Sequence, residues 1–446
     1  MKGLQRTLRE IFRYPTAIAG SIIILILVIT SIVTLIRLPY SEAVRLWRGG
    51  EEVWYRAPKN VPPAWINYFR REKLPETIFL SSKEGDATVT SEKTESGEKI
   101  KMVFQFDFVY DQFPQEMILY LTSAYNEKAP FVSVSWFMPD GEKIRITDSK
   151  VDIKLTYRFS QDAKLVRRLD GQNPNEALFA VPDSDPPVPY KGTYQIVLDW
   201  VNFEEATDVT AEFVAHGRVY GIAGTDHLRR DLSVALLWGI PVAMSFGLIA
   251  ALGTTILTML IAAVGVWYGG WLDNLIQRIT EVNAVIPLLP ILIMIGTFYS
   301  RSIFLILGVT ILFGIFGLGI KTYRANFMQI KESPYIEAAR AYGAGNRRLI
   351  VTYLIPRLIP LLIPGLVAGI PAFVFLEASL AVLGLGDPIL PTWGKIIQDA
   401  QSNGALYMGL YYWVLEPAVL LMITGLAFAM LGFALDRIFN PRLRGM

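Results

Sequence analysis

The sequence predicts an α-helical membrane protein of six transmembrane helices, with a β-rich, sandwich-like extracytoplasmic domain inserted between spans 1 and 2. The first observation behind this is apolarity: 446 residues are 52% hydrophobic, with a mean hydropathy of +0.37, high for a soluble chain. The second is uneven charge. Leu38 to Asp231 carries 24 Lys/Arg and 30 Asp/Glu, and only 18 basic and 10 acidic residues are spread over the remaining 252 positions. The third is a set of apolar runs near the ~20 residues that cross a hydrocarbon layer of ~30 Å. The near-neutral total of +2 includes no basic block interleaved with aromatics, so nucleic acid is not an expected partner. Without cysteine there are neither disulfides nor thiolate metal sites.

The first run, Ala17 to Ile36, has no charge. It exceeds the usual apolar core of a signal peptide and no small-residue cleavage site follows it, so it reads as a retained anchor. The expected division is 1–37 for the amino terminus and first span, 38–220 for the β-rich domain, and 221–446 for a five-helix core. In the second part Met102, Phe104, Phe106, Phe108 and Tyr110 alternate with mostly polar residues, the period of a strand with one buried face. Strand-like runs recur at Met117–Leu121, Phe131–Trp136, Lys143–Thr147, Asp152–Phe159, Tyr194–Trp200 and Val209–Val214, with turns such as Pro139-Asp140-Gly141 between them. Tyr40 to about Thr77 reads as helical or irregular. His216 and His227 read as surface or hydrogen-bonded residues, too few for a histidine metal site.

Five further spans are expected near Pro241–Trp267, Glu281–Tyr299, Ile303–Ile320, Leu358–Leu383 and Leu410–Leu435. Gly365 and Gly369 form a small-xxx-small pair suited to close helix packing. Lys2, Arg6, Arg9 and Arg13 near the start, seven Lys/Arg between Lys321 and Arg357, and Arg437, Arg442 and Arg444 in the tail put both termini and the 321–357 loop on the cytoplasmic side. Residues of about 38–231 are then extracytoplasmic. Charges inside spans are functional candidates by default, and Glu377, well within the fifth, is expected to line a path or pair with a partner. Glu281 reads as interfacial.

The 321–357 loop holds the most specific pattern. Ser333-Pro334 is a helix start, followed by Glu337-Ala338-Ala339, then Gly343, then Tyr353-Leu354-Ile355-Pro356. Glu337, Ala338, Ala339, Gly343 and Pro356 stand at the offsets of the EAA motif, so the loop resembles that of ABC importer permeases. Gly224-Thr225-Asp226, continuing to Asp231 with Gly239 and Ser245 beyond, resembles a block that precedes the second span in the dipeptide/oligopeptide/nickel class. Glu377-Ala378-Ser379 to Gly386, with Pro391, Trp393 and Gly394, resembles the segment after the fifth span. Leu435 to Arg442 resembles the tail. Four blocks in order point to the second, C-type permease subunit of that class. Arg229 stands where Gly is usual, Asn440 where Asp is, Gly221-Ile222-Ala223 where His-Pro-Leu is, and the extracytoplasmic domain replaces a short linker.

The resemblance implies the type I ABC importer fold and a transport subunit without catalytic residues of its own. The Glu337 helix would dock into a groove on an ATPase. ATP and Mg would be bound by two separate ABC ATPase subunits, because this sequence has no phosphate-binding Gly-x-x-x-x-Gly-Lys-Ser/Thr run. A related permease subunit would complete a heterodimer in the lipid bilayer, and an extracytoplasmic substrate-binding protein would deliver the solute for alternating access. Peptides, oligosaccharides and nickel complexes remain open as substrates. A membrane-anchored receptor or adhesion protein would also present a β domain, but gives no reason for the EAA spacing. A membrane-embedded enzyme would need grouped acids or histidines in its spans.

Overall fold

The computed structural model describes residues 13–94, 97–204 and 207–439. Lys2, Arg6, Arg9, Asn440, Pro441, Arg442 and Arg444, used above for orientation and tail, lie outside them. The chain divides into two compact units, one of Met1–Arg48 with Val234–Met446 and one of Gly49–Ser233.

Helix α1, Pro15–Arg37, starts on a proline whose missing N–H costs nothing at that position. It packs on the last helix through Gly20, where a Cβ would lie 2.7 Å from the carbonyl oxygen of Ala427. A short amphipathic helix, α2 (Tyr40–Arg48), follows and buries Ala43 and Trp47.

The Gly49–Ser233 unit is a β-sandwich preceded by α3 (Glu51–Trp54) and a 3-10 turn at Ala64–Tyr68. Its strands are β1 (Ile78–Ser81), β2 (Ala87–Thr94), β3 (Gly97–Phe108), β4 (Glu116–Ala124), β5 (Phe131–Phe137), β6 (Lys143–Lys150), β7 (Lys154–Arg158), β8 (Gly192–Asn202) and β9 (Asp208–His216). Two short helices, α4 (Ala163–Arg168) and α5 (Pro174–Ala177), lie between β7 and β8. One sheet runs β1-β9-β4-β7 and the other β2-β3-β8-β5-β6, antiparallel throughout. The alternation read in β3 buries Met102, Phe104, Phe106 and Phe108. Phe106 stacks on Phe213 of the facing sheet at 5.8 Å between ring centres, and Trp136, Phe159, Phe179 and Tyr194 complete the aromatic core. Each such ring removed from water contributes roughly 1.5–3 kcal/mol. Strands β1 and β2 were not anticipated. Thr88, Thr90, Glu92 and Lys93 make β2 too polar to signal a strand, and pairing with β3 alone holds it there.

The helical unit continues with α6 (Leu232–Tyr268), α7 (Gly270–Val285), α8 (Leu288–Phe298), α9 (Ile303–Ile315), α10 (Gly319–Lys331), α11 (Pro334–Ala341), α12 (Asn346–Leu385), α13 (Trp393–Ser402) and α14 (Tyr412–Phe439). Among the described residues four helices, α1, α6, α12 and α14, are long and apolar enough to cross a membrane, or up to six if each bent pair is one span. The spans expected near Glu281–Tyr299 and Ile303–Ile320 fall on those bent pairs. Between α7 and α8 the chain bends 77°, because Pro287 drives Ile286 into an extended conformation. Between α9 and α10 it bends 45°. Asn283 at the first break donates its amide to the carbonyls of Phe313 and Phe316 at 3.0 and 3.1 Å, so the end of α9 keeps partners away from water. The expected packing of Gly365 and Gly369 is not found in this chain, since a Cβ at either meets nothing within 4 Å. Close approach falls instead at Gly247, against Ile370 and Val374, and at Gly432, against Ala368.

Candidate functional site

At 37 residues α6 is ~55 Å long, well beyond the ~30 Å hydrocarbon thickness, so its two ends are separate places. The carboxyl end carries the loop helix. α11 begins after Ser333 with Pro334 in its first turn and places Glu337 near its positive end. It ends in a Schellman arrangement: Gly343, at φ +81°, donates to Arg340 O at 2.9 Å and Ala344 donates to Ala339 O at 3.1 Å. Left-handed backbone there costs a residue with a side chain ~1–2 kcal/mol, which accounts for the glycine.

One face of α11 is anchored. Ile336 is buried against Trp267, Phe327, Leu349 and Leu354, with Ala339 beside it. The Arg340 guanidinium lies over the Trp267 ring at 5.4 Å. Lys331 donates to the carbonyls of Val266 and Trp267 at 2.8 and 3.1 Å, closing the carboxyl end of α6 with a cation. Arg324 grips Asp273 through Nε and Nη2 at 2.8 and 2.6 Å, tying α10 to α7. The other face is open: Tyr335, Glu337, Ala338, Ala341 and Tyr342 are exposed, Tyr342 at 92%. Pro356 is exposed just after a π-helical turn at Leu349–Leu354. The wider turn suits a residue that has no N–H for the carbonyl four places back.

The residues near the amino end of α6 come together as a packed knot. A Cβ at Gly239 would fall 2.3 Å from Trp393, whose indole N–H donates to Leu236 O at 2.9 Å. A Cβ at Gly394 would fall 2.6 Å from both Ala378 O and Ala381 Cβ. Glu377, 7% exposed, is hydrogen-bonded to Thr392 in the same region. Two of the sequence blocks are thus neighbours in space, and their small residues are there for contact. Between α1, α6, α8 and α9 a cavity of about 920 Å³ opens, walled by Leu35, Trp238, Phe246, Ile249, Phe304 and Leu307. Arg301 and Asp387 also line it.

Within the β-sandwich unit, Thr225 donates its hydroxyl to Pro58 O and its N–H to Val61 O, at 2.8 and 2.9 Å. Asp226 accepts from the Leu228 and Arg230 N–H groups and from Arg230 Nε, the last at 2.6 Å. Gly224 has φ +71°, and Asp231 accepts the Ser233 N–H at 2.8 Å as the cap of α6. Burial pushes the Asp231 carboxyl above the usual carboxylate range. Arg229 has φ +67°, so the position where Gly is usual does need left-handed backbone. Its side chain compensates, donating to Ala57 O at 2.9 Å and to Glu116 at 2.6 Å. It also faces His216 Nδ1 at 3.2 Å. His216 is buried and its Nε2 bonds Tyr55 O at 2.9 Å, which makes Nε2 the protonated nitrogen and Nδ1 the acceptor. Burial, with Arg229 adding to it, lowers its pKa to about 3. At Glu116 burial works upward, but hydrogen bonds from Arg229 and Arg158 outweigh it and hold the carboxyl below its usual range.

Residues 235–445 match the family described as binding-protein-dependent transport system inner membrane component. That segment is similar to membrane components of this description. The chain is 29% identical over 221 residues to the peptidoglycan transport system permease protein of Agrobacterium fabrum, covering 49% of this chain and 56% of that protein. It is 28% identical over 222 residues to the dipeptide transport system permease protein of Bacillus subtilis, covering 50% and 68%. To the oligopeptide transport system permease protein of the same organism it is 27% identical over 223 residues, covering 50% and 72%. The chain thus spans little more than half the length of the first of these relatives. The matched segment contains α11, most of the cavity wall and the Trp393 knot, whereas Gly224, Thr225, Asp226 and Asp231 lie just before it. Sequence reasoning missed Arg301, Arg340 and Lys331. Arg340 adjoins the Glu-Ala-Ala run, but only the fold brings Trp267 beneath it.

Proposed function

We propose that this chain is the transmembrane permease subunit of an ATP-driven ABC importer, forming half of the translocation path for peptides or similar solutes. The observation that carries this is α11: anchored on one face through Ile336 and Arg340, it leaves Glu337, Ala338 and Tyr342 free for a partner. Two ABC ATPase subunits, binding ATP and Mg, dock there on the cytoplasmic side. A related permease subunit completes the heterodimer. Six spans result when each bent helix pair counts as one, with both termini cytoplasmic and the Gly49–Ser233 sandwich outside the cell membrane. Delivery by an extracytoplasmic substrate-binding protein engages that sandwich.

Reconstitution of the complete importer in proteoliposomes tests this reading through ATP-dependent uptake. Replacing residues Tyr40–Val219 with a flexible linker should cut delivery from the binding protein while basal ATPase activity persists. Full-rate transport by that deletion would make the sandwich accessory. Absence of any ATP-driven uptake by the intact assembly would remove the importer assignment.

A further inference from the structure

We propose that the cavity between α1, α6, α8 and α9 is a solute-binding site in which Arg301 receives the terminal carboxylate of a small peptide with apolar side chains. This rests on the importer reading and names the chemistry of its cargo. The volume, about 920 Å³, is in the range of small-molecule pockets, roughly 300–1,000 Å³. Its walls are mainly aliphatic and aromatic, with Ser245, Thr297, Ser300 and Ser302 as scattered hydroxyls.

Among the described residues only two charged ones line it, Arg301 and Asp387, and one is already committed. Asp387 accepts the Ile303 N–H at 3.2 Å, and the Ile389 and Leu390 N–H groups at 2.9 and 3.4 Å. Its charge answers the amino end of α9. Glu377 shares a separate small void with Arg301 and Asp387 but does not line the large cavity, and Thr392 holds it. Arg301 has neither an ion pair nor a hydrogen bond among the described residues. A guanidinium in that position presents a planar fork matched to a carboxylate. An oligosaccharide would leave most of its hydroxyls against apolar walls, and a metal complex would meet one carboxylate already engaged. A short peptide with apolar side chains and a free terminal carboxylate fits both the walls and the charge.

The test is equilibrium binding of radiolabelled trileucine and trileucine amide to the full chain in phosphatidylglycerol-containing nanodiscs. Wild type should bind the free acid at least about tenfold tighter than the amide. R301Q should lose that preference while still binding the amide, which shows that the cavity is intact, and R301K should keep part of it. A preference unchanged in R301Q, or no trileucine binding to wild type, overturns the proposal. So does loss of retained phosphatidylglycerol in R301Q with the peptide preference unaltered, which would make this a lipid site. ATP-driven uptake by the complete importer is scored separately, so failure of the importer reading and failure of the Arg301 site give different results.

Discussion

Arg229 holds the Glu116 carboxylate at 2.6 Å from a backbone position at φ +67°. The two facts belong together. The loop needs a left-handed residue, and a residue with a side chain sits there because its guanidinium closes contacts that glycine lacks. The local strain of ~1–2 kcal/mol is set against charge-assisted hydrogen bonds of ~1.5–3 kcal/mol each.

R229A should therefore lower the stability of the Gly49–Ser233 unit by a few kcal/mol, keeping the strain and losing the bonds. R229G should cost less, because it relieves the backbone. Hydrogen exchange of β4 and β9 in the full chain measures both. Equal protection in R229A and wild type would mean that the guanidinium contacts contribute nothing.

His216 makes the same unit acid-sensitive. Its pKa is about 3 when folded and near 6.5 when exposed, so below pH 6.5 the unfolded chain takes up a proton that the folded chain refuses. Stability from this group is complete above pH 6.5 and falls by ~1.4 kcal/mol per pH unit toward pH 3. Glu116, held low by its arginines, adds loss in the same direction as the pH drops below its ordinary range. H216Q should flatten the dependence between pH 6.5 and 5, as followed by hydrogen exchange. An unchanged slope would assign the acid sensitivity to other groups.

Helix α11 gives a third expectation. E337K changes an exposed residue and G343P removes both the left-handed turn and the N–H donated to Arg340 O. Both should abolish transport-coupled ATPase activity in the reconstituted importer while the chain remains folded. G343A is milder, because its Cβ meets nothing within 4 Å and the cost is the backbone's ~1–2 kcal/mol alone. Wild-type stimulation in E337K would count heavily against α11 as the docking element.

Arg340 over Trp267 is a fourth. A cation–π contact contributes ~0.5–1 kcal/mol at an exposed site, so R340A should loosen α11 without unfolding α6. Coupled ATPase activity should fall several-fold, and W267L should reproduce the loss without adding to R340A. Additive losses would show that the two residues act separately.

Orientation can be read with single cysteines, since the chain has none of its own. K143C and K191C should react with an impermeant reagent on intact cells and R347C should not. The opposite pattern would invert the proposed topology.

Apolar length and alternation were enough to mark α1, α6, α12, α14 and the strand β3, because burial in lipid or in a sandwich core imposes a residue-by-residue pattern. The Glu337–Pro356 spacing was legible for a similar reason: the Gly343 turn and the Pro356 ring are local backbone requirements. Other features needed the folded chain. Strand β2 exists because β3 offers it a hydrogen-bonded edge. The bend at Pro287 keeps its neighbours only because Asn283 reaches the end of α9, 30 and 33 residues away in sequence. Arg229 reads as a departure from a glycine position, and its reason lies in Glu116, 113 residues earlier. Local steric and hydrophobic demands are written into consecutive residues, whereas partners for buried charge and for freed backbone groups come from wherever the fold delivers them.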